Sequence, residues 1–301
     1  MKNLFIDGGN LLKRSFYSPQ NKPLTNSDGK SVGHILCYMK NLLSLQERFE
    51  ADNIFIAWDI RDTEFINFRQ DAVGYKATRD RSDEEDSHRC DKVIWAMCEY
   101  LGIRNMRANK LEADDTISWL CSEYPNDDNV IVSNDKDFLQ LINYYPSIKI
   151  FSPIKQELIN ESNHKEHTDG VDIDKYLLYK AIIGDKSDNI SGLFRYGPVK
   201  ARKIVENVSE GLSALSDEMK AIIKRNMWIM DLRKGLEQYS DEIKFYSDQI
   251  VDIDPNLSVF FEVTEKLGLF SIYNNKSVWR DKFGGFKAGD MLQNIMNSIN
   301  N

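Results

Sequence analysis

The sequence predicts an α/β protein built on a parallel sheet, and three observations carry that reading. Short apolar runs end in aspartate at "NLFID" (Asp7), "NIFIAWD" (Asp59) and "NVIVSND" (Asp135). Each run is β-branched or aromatic-rich and of strand length. Helical patterns separate the runs, and strand–helix alternation of this kind folds as a parallel sheet covered by helices.

In chain order, the first strand leads to a helical pattern over 31–49, "SVGHILCYMKNLLSLQERF". The second is followed by "CDKVIWAMCEYLG" (90–102) and "DDTISWLCSEY" (114–124), and the third by a helix starting near Phe138. Parallel strands point the same way, so their C-terminal ends share one edge, which is where open α/β sheets bind ligands. Asp7, Asp59 and Asp135 are therefore expected to converge there. Residues 154–172, "IKQELINESNHKEHTDGVD", read as a turn-rich polar connector, and the sequence is then largely helical to residue 270. The expected organisation is an α/β core over 1–153, the connector, a helical region over 173–273, and a tail over 274–301 with a Gly-Gly break and a short amphipathic run.

At 301 residues the chain can bury a large core, as one α/β domain or as two lobes sharing a cleft. No run is long and apolar enough to span a membrane. The opening "MKNLFIDGGNLL" is short and interrupted by Asp7, unlike a signal peptide. Cys37, Cys90, Cys98 and Cys121 have no C-x-x-C spacing and read as reduced core thiols. A cytoplasmic location is expected. The net charge of −8 does not exclude a nucleic-acid partner, because carboxylates gathered around cations raise the acidic count without repelling DNA elsewhere.

The acidic residues are clustered. Glu112 and Asp115 in "EADD" are three apart and share a helix face, while Asp114 points to a neighbouring one. Asp135 and Asp137 follow the third strand, and Asp185 and Asp188 lie in "GDKSDNISG". Taken singly, each pair also fits a plainer role: complementing a helix dipole, capping a helix, or forming an Asx-rich turn. Taken together, nine carboxylates (Asp7, Asp59, Glu112, Asp114, Asp115, Asp135, Asp137, Asp185 and Asp188) can reach one sheet edge. Hard oxygen donors without His or Cys suit Mg²⁺ or Mn²⁺. Their number suggests two or more ions, the apparatus of in-line displacement at phosphorus. His164 and His167 are read as a surface loop, and neither a nucleotide-binding nor a dinucleotide-binding glycine motif is present.

Two stretches suit phosphate. "SGLFRYGPVKARKIVENV" (191–208) places Gly192 and Gly197 around a turn that feeds a helix with Pro198 first, followed by Lys200, Arg202 and Lys203. Between Arg195 and Lys234 nine Lys/Arg face five Asp/Glu, so this part of an acidic chain is basic. An ordinary helix with a solvated basic face is the plainer alternative. "INFRQDAVGYKATRDRSDEEDSHR" (66–89) interleaves Arg69, Lys76, Arg79 and Arg81 with Tyr75 and suits a flexible single strand, although a solvated loop fits equally well.

In order along the chain, "LFIDGGNLLKRSFY", "FRQDAVGYKATR", "EADD", "SNDKDFLQL", "GDKSDNISG" and "GLFRYGPVKARKI" resemble the 5′ nuclease superfamily. That superfamily comprises flap endonucleases, the 5′-nuclease domain of bacterial DNA polymerase I and the short phage-encoded 5′→3′ exonucleases; the resemblance is greatest to the phage enzymes. It implies a PIN-like, mostly parallel central sheet with flanking helices, a helical arch or clamp near 66–89, and a helix-three-turn-helix near 185–208. It also implies that Asp7, Asp59, Glu112, Asp114 and Asp115 surround a first metal ion, Asp59 through water. Asp135, Asp137, Asp185 and Asp188 serve a second, with Asp115 between. Lys76 and Arg79 match the basic pair that contacts the scissile phosphate, Tyr75 an aromatic that stacks on a base, and Arg14 a basic position near the site. Arg69, Arg81 and the 191–208 residues are expected on DNA, with K⁺ at the helix-three-turn-helix.

Two departures stand out. Phe194, Arg195 and Tyr196 replace a glycine-rich step, and the tail carries Trp279, Phe283 and Phe286, which either dock a replication partner or pack back on the body. The expected activity is metal-dependent hydrolysis of phosphodiesters at single-strand/duplex junctions by a monomer, with 5′ flaps or 5′ ends as substrates and 5′-phosphates as products. Removal of RNA primers from RNA–DNA hybrid, and non-catalytic junction binding on the same scaffold, are the alternatives.

Overall fold

Two compact units make up the fold, and they do not follow chain order: one contains residues 1–58, 82–106 and 244–301, the other 59–81 and 107–243. The structure, a computed structural model, describes residues 1–18, 24–59, 69, 76, 84–108, 110–239, 241 and 253–285, with the side chains of 84–91 excepted.

In the first unit β1 (Lys2–Asp7), β2 (Asn53–Ala57) and β3 (Arg104–Met106) run parallel in the order β3–β2–β1. Leu4 is opposite Ile54 and Phe55 is opposite Arg104. Consecutive residues of β1 and β2 are buried, as in parallel strands covered on both faces. Helix α1 (Gly8–Tyr17) starts directly at the end of β1, and Asp7 is its N-cap. Gly8 is required at this junction, because a Cβ there would lie 2.7 Å from the Trp58 ring. Helices α2 (Gly33–Phe49) and α3 (Glu84–Tyr100) match the predicted patterns, α3 starting earlier than expected. The tail aromatics pack inward: Trp279 and Phe283, on the helix Lys276–Phe283, are 2% and 0% exposed, and Trp279 stacks on Phe283 and tilts against Phe260. Phe286 lies outside the described residues.

In the second unit β4 (Asp128–Val132) and β5 (Lys149–Ser152) are parallel, and β6 (Glu157–Ile159) pairs antiparallel with β5. The expected connector is thus partly sheet. His164 and His167 are correspondingly buried, at 8% exposure each, and not on a surface loop; His167 Nε2 lies 3.0 Å from Glu157. Helix α4 (Ala113–Glu123) precedes β4. A 3-10 turn (Lys136–Gln140) running into α5 (Leu141–Tyr144) takes the place of the helix expected near Phe138. Helix α6 (Ile173–Ile183) leads into a two-strand hairpin, β7 (Gly184–Asp185) and β8 (Ile190–Ser191), followed by α7 (Pro198–Glu206), α8 (Val208–Ser213) and α9 (Asp217–Met230).

Side-chain amides fix these elements together. Fully buried Asn226 of α9 donates to the Ala181 and Ser191 carbonyls, each at 2.9 Å. Gln140 donates to Met230 O and accepts from Leu232 N–H. Leu177, Ile190, Ile229 and Met230 form an apolar cluster beneath them. Cys37, Cys98 and Cys121 are buried free thiols, as expected, and burial pushes Cys98 and Cys121 up. Among the described residues no helix is long and apolar enough to cross a membrane.

Candidate active site

Eight of the nine carboxylates belong to the second unit, and two of its element ends hold most of them. At the start of α4, Glu112 is extended and caps the helix, with Asp114 and Asp115 in the first turn. Asp59 accepts from the Ala113 N–H at 2.8 Å, and Asp115 accepts from the Glu112 N–H at 3.0 Å. Amides at a helix start have no intrahelical partner, so anionic side chains are stabilised there.

Two basic side chains close this corner. Arg69 is 1% exposed, and its guanidinium forks onto both Asp115 oxygens at 2.6 Å, while Nε donates to the Ile229 carbonyl at 2.8 Å. Arg69, expected on DNA, is here an enclosed partner of Asp115. Both Asp115 oxygens are thereby engaged by Arg69 and the Glu112 amide. Burial raises the Asp115 carboxyl above its ordinary value, against the downward pull of the Arg69 guanidinium. Lys76 pairs with Glu112 and is only 15% exposed. Its backbone is left-handed, at φ 50°, and its N–H donates to the Asp188 carbonyl at 3.0 Å. Lys76 therefore connects the Glu112 corner to the second acidic group.

That second group surrounds Lys180 of α6. Its ammonium lies 2.9 Å from Asp137 and 2.6 Å from Asp185. Asp135 caps the 3-10 turn by accepting from the Asp137 N–H at 2.8 Å. Asp185 also accepts from the Ser187 N–H and hydroxyl. Burial first, then neighbouring Asp135 and Asp185, push Asp137 up to about 6 against the pull of Lys180. Burial opposes the Lys180 charge, yet Asp137 and Asp185 outweigh it and hold the amine well above its ordinary value. Asp185 is likewise held low by Lys180 and Ser187 in spite of burial. Nothing in the sequence singles out Lys180. Its position one turn before Asp185 looks like an ordinary basic residue at a helix C-terminus, and only the fold brings Asp137 to it.

Among the described residues, no three His, Cys, Asp or Glu side chains meet as a ready metal nest. Instead, cations interleave with the acids. Buried carboxylates cost several kcal/mol unless paired, so the nearest guanidinium or ammonium settles among them. The donor chemistry nonetheless fits a hard divalent ion around Asp135, Asp137 and Asp185, because all the donors are carboxylate oxygens.

The phosphate-binding expectation lands on a defined turn. Gly197 caps α7 and Pro198 is its first residue. Gly192 has a packing reason to be glycine, since a Cβ there would lie 2.3 Å from the Ile183 backbone; Gly184, at φ 77°, meets the Gly192 N–H region as closely. Lys200 and Lys203 are exposed, Lys200 lies over the Tyr196 ring, and Arg202 donates to the Asp169 carbonyl. Phe194 is 79% exposed beside Arg195. Asp7 and Arg14 belong to the other unit, where Asp7 accepts from the Asn10 N–H at 2.9 Å and Arg14 lies in the last turn of α1. Tyr75, Arg79 and Arg81 lie outside the described residues.

Comparison with known proteins places this geometry. The 5′-3′ exonuclease N-terminal resolvase-like domain model matches residues 2–169. A 5′-3′ exonuclease of Halalkalibacterium halodurans is 27% identical over 211 residues, covering 67% of this chain and 69% of that protein. A DNA polymerase I of Caldicellulosiruptor bescii is 29% identical over 236 residues, 75% of this chain; the chain spans only 27% of that protein's length. A crystal structure of the bacteriophage T5 D15 flap endonuclease, in a pseudo-enzyme-product complex with DNA and metal ions, aligns with TM-score 0.65 at 16% identity, covering 88% of this chain and all of that one. At that identity the likeness is one of fold, an α/β architecture with a mostly parallel sheet and flanking helices. The chain belongs to the 5′-3′ exonuclease family defined by the N-terminal resolvase-like domain, within the 5′ nuclease superfamily.

Proposed function

We propose that the chain is a divalent-metal-dependent, structure-specific 5′ nuclease that hydrolyses phosphodiesters at single-strand/duplex junctions and leaves 5′-phosphates. The observation that carries this reading is the Asp135–Asp137–Lys180–Asp185 group, joined through Lys76 to the Glu112 corner. The relatives named 5′-3′ exonuclease and the flap endonuclease fold support it.

In this reading Asp135, Asp137, Asp185 and Asp188 hold one ion, and Asp59, Glu112 and Asp114 hold another, with Asp115 supporting both from its fork with Arg69. Divalent ions held there, Mg²⁺ or Mn²⁺, would supply Lewis-acid activation of water and neutralise charge at phosphorus. Lys76 turns from Glu112 toward the scissile phosphate and, with Arg79, neutralises it, and Tyr75 stacks on the adjoining base. The Gly197 turn, Lys200, Arg202 and Lys203 grip the duplex backbone, and K⁺ on the carbonyls of the 192–197 turn belongs to the same reading. RNA–DNA hybrid is a second substrate class for the same site, with the chain acting as a monomer and a replication partner docking on the C-terminal tail, 274–301.

The test is a 5′-flap DNA incubated at low salt with Mg²⁺ or Mn²⁺, comparing wild type with Asp135→Asn and Asp185→Asn. Cleavage near the junction that both variants lose supports the reading, and a wild-type protein that leaves the flap uncut refutes it. One observation favours a second reading, a non-catalytic junction-binding protein: Arg69, Lys76 and Lys180 already neutralise much of the acidic cluster. Tight flap binding without cleavage in any divalent metal would establish that reading.

A further inference from the structure

Lys180 lies where the acidic group most needs positive charge. Four carboxylates, Asp135, Asp137, Asp185 and Asp188, come from two segments far apart in sequence, and a single ammonium spans Asp137 and Asp185. Its side chain is 13% exposed and rises from α6 beside buried Tyr176 and Leu177. No flexible surface lysine is held this way: the stem is packed, both acceptors are half-buried, and Ser187 fixes the far oxygen of Asp185.

We propose that Lys180 is a resident counter-ion that pre-positions Asp137 and Asp185 and sets divalent-ion affinity by competing for their oxygens. The inference rests on the metal-binding reading above and deepens it. Without a cation between them, two half-buried carboxylates repel and separate. With the ammonium in place they stay side by side, but an arriving divalent ion must displace it. The same side chain thus lowers the cost of ordering the site and weakens metal binding.

The charge and the stem can be separated by Lys180→Met, which keeps the packed alkyl portion, and by Lys180→Arg, which keeps the charge. Mn²⁺ binding to each full-length protein is measured by calorimetry, with thermal unfolding in EDTA and in Mn²⁺. Lys180→Met should bind Mn²⁺ about tenfold more tightly than wild type, melt lower in EDTA and gain more from Mn²⁺; Lys180→Arg should bind as wild type does. A second readout needs no variant: saturating Mn²⁺ should raise acetylation of wild-type Lys180 by acetic anhydride several-fold relative to Lys220, read by mass spectrometry. Neither readout involves cleavage, and a parallel flap assay keeps the nuclease reading separate. Equal, weaker or absent Mn²⁺ binding by Lys180→Met, or unchanged Lys180 acetylation in Mn²⁺, would overturn the proposal whether or not the flap is cut.

Discussion

Replacing Arg69 with Met should destabilise the protein substantially, and the structure supplies the magnitude. Arg69 is 1% exposed and Asp115 is 0% exposed, and their fork is two bonds of 2.6 Å. Removing one partner of a buried pair leaves an uncompensated charge and costs about 3–5 kcal/mol. The Ile229 carbonyl also loses its donor, adding to the cost. For a chain of 301 residues each kcal/mol moves the melting temperature by roughly 1.5–2 °C, so a fall of about 5–10 °C follows. Circular dichroism during thermal unfolding in EDTA measures it. A double variant, Arg69→Met with Asp115→Leu, removes both charges and should recover most of the loss, because an apolar pair of similar volume is often neutral or stabilising. A single variant that melts within 2 °C of wild type, an interval below the roughly 5 °C minimum just derived, would refute the reasoning. So would a double variant no better than the single one.

Other consequences can be checked in the same preparations. Asp137 has a folded-state pKa of about 6, above its ordinary value, so it favours folding while protonated and loses that contribution as pH rises from 4 to 6. In EDTA, Asp137→Asn should therefore gain melting temperature relative to wild type across that window; a constant difference would contradict it. Gly192→Ala places a Cβ 2.3 Å from the Ile183 backbone and should cost on the order of 1–3 kcal/mol, measured by urea unfolding. Asn226→Ala strips the Ala181 and Ser191 carbonyls of their donor and should cost about 1–3 kcal/mol or more in the same titration. Lys200→Glu with Lys203→Glu should weaken duplex affinity across sequences and flatten its salt dependence, by about one unit of slope for each phosphate left without its cation, measured by fluorescence anisotropy.

The strands and long helices were legible in the sequence because parallel strands buried on both faces read as continuous apolar runs. Leu4 to Ile6 and Ile54 to Ala57 are such runs, all nearly fully buried. Strand β3 was not legible: three residues, Arg104–Met106, carry no periodicity, and the sheet recruits them by register with Phe55 to Ala57. Strand β6 was hidden for the same reason inside a polar stretch whose turns fold back on β5.

The acidic residues of the site were legible as pairs at element ends. Their counter-charges were not, because those are set by tertiary distance: Arg69 is 46 residues from Asp115, and Lys180 is 43 from Asp137. A basic loop residue and a helix-end lysine give no signal of burial. The nine carboxylates were expected to meet around cations; among the described residues the side chains of Arg69, Lys76 and Lys180 lie against Asp115, Glu112, Asp137 and Asp185. Gly197 and Pro198 at the start of α7 followed directly from the turn chemistry of Gly-Pro.

Anomalous diffraction from crystals soaked in Mn²⁺ tests the central claim most directly. The account predicts density within about 2.0–2.3 Å of oxygens from Asp137 and Asp185, with the Lys180 ammonium withdrawn from at least one of them. Saturating Mn²⁺ that leaves no density there, with Lys180 still paired to both carboxylates, would contradict it.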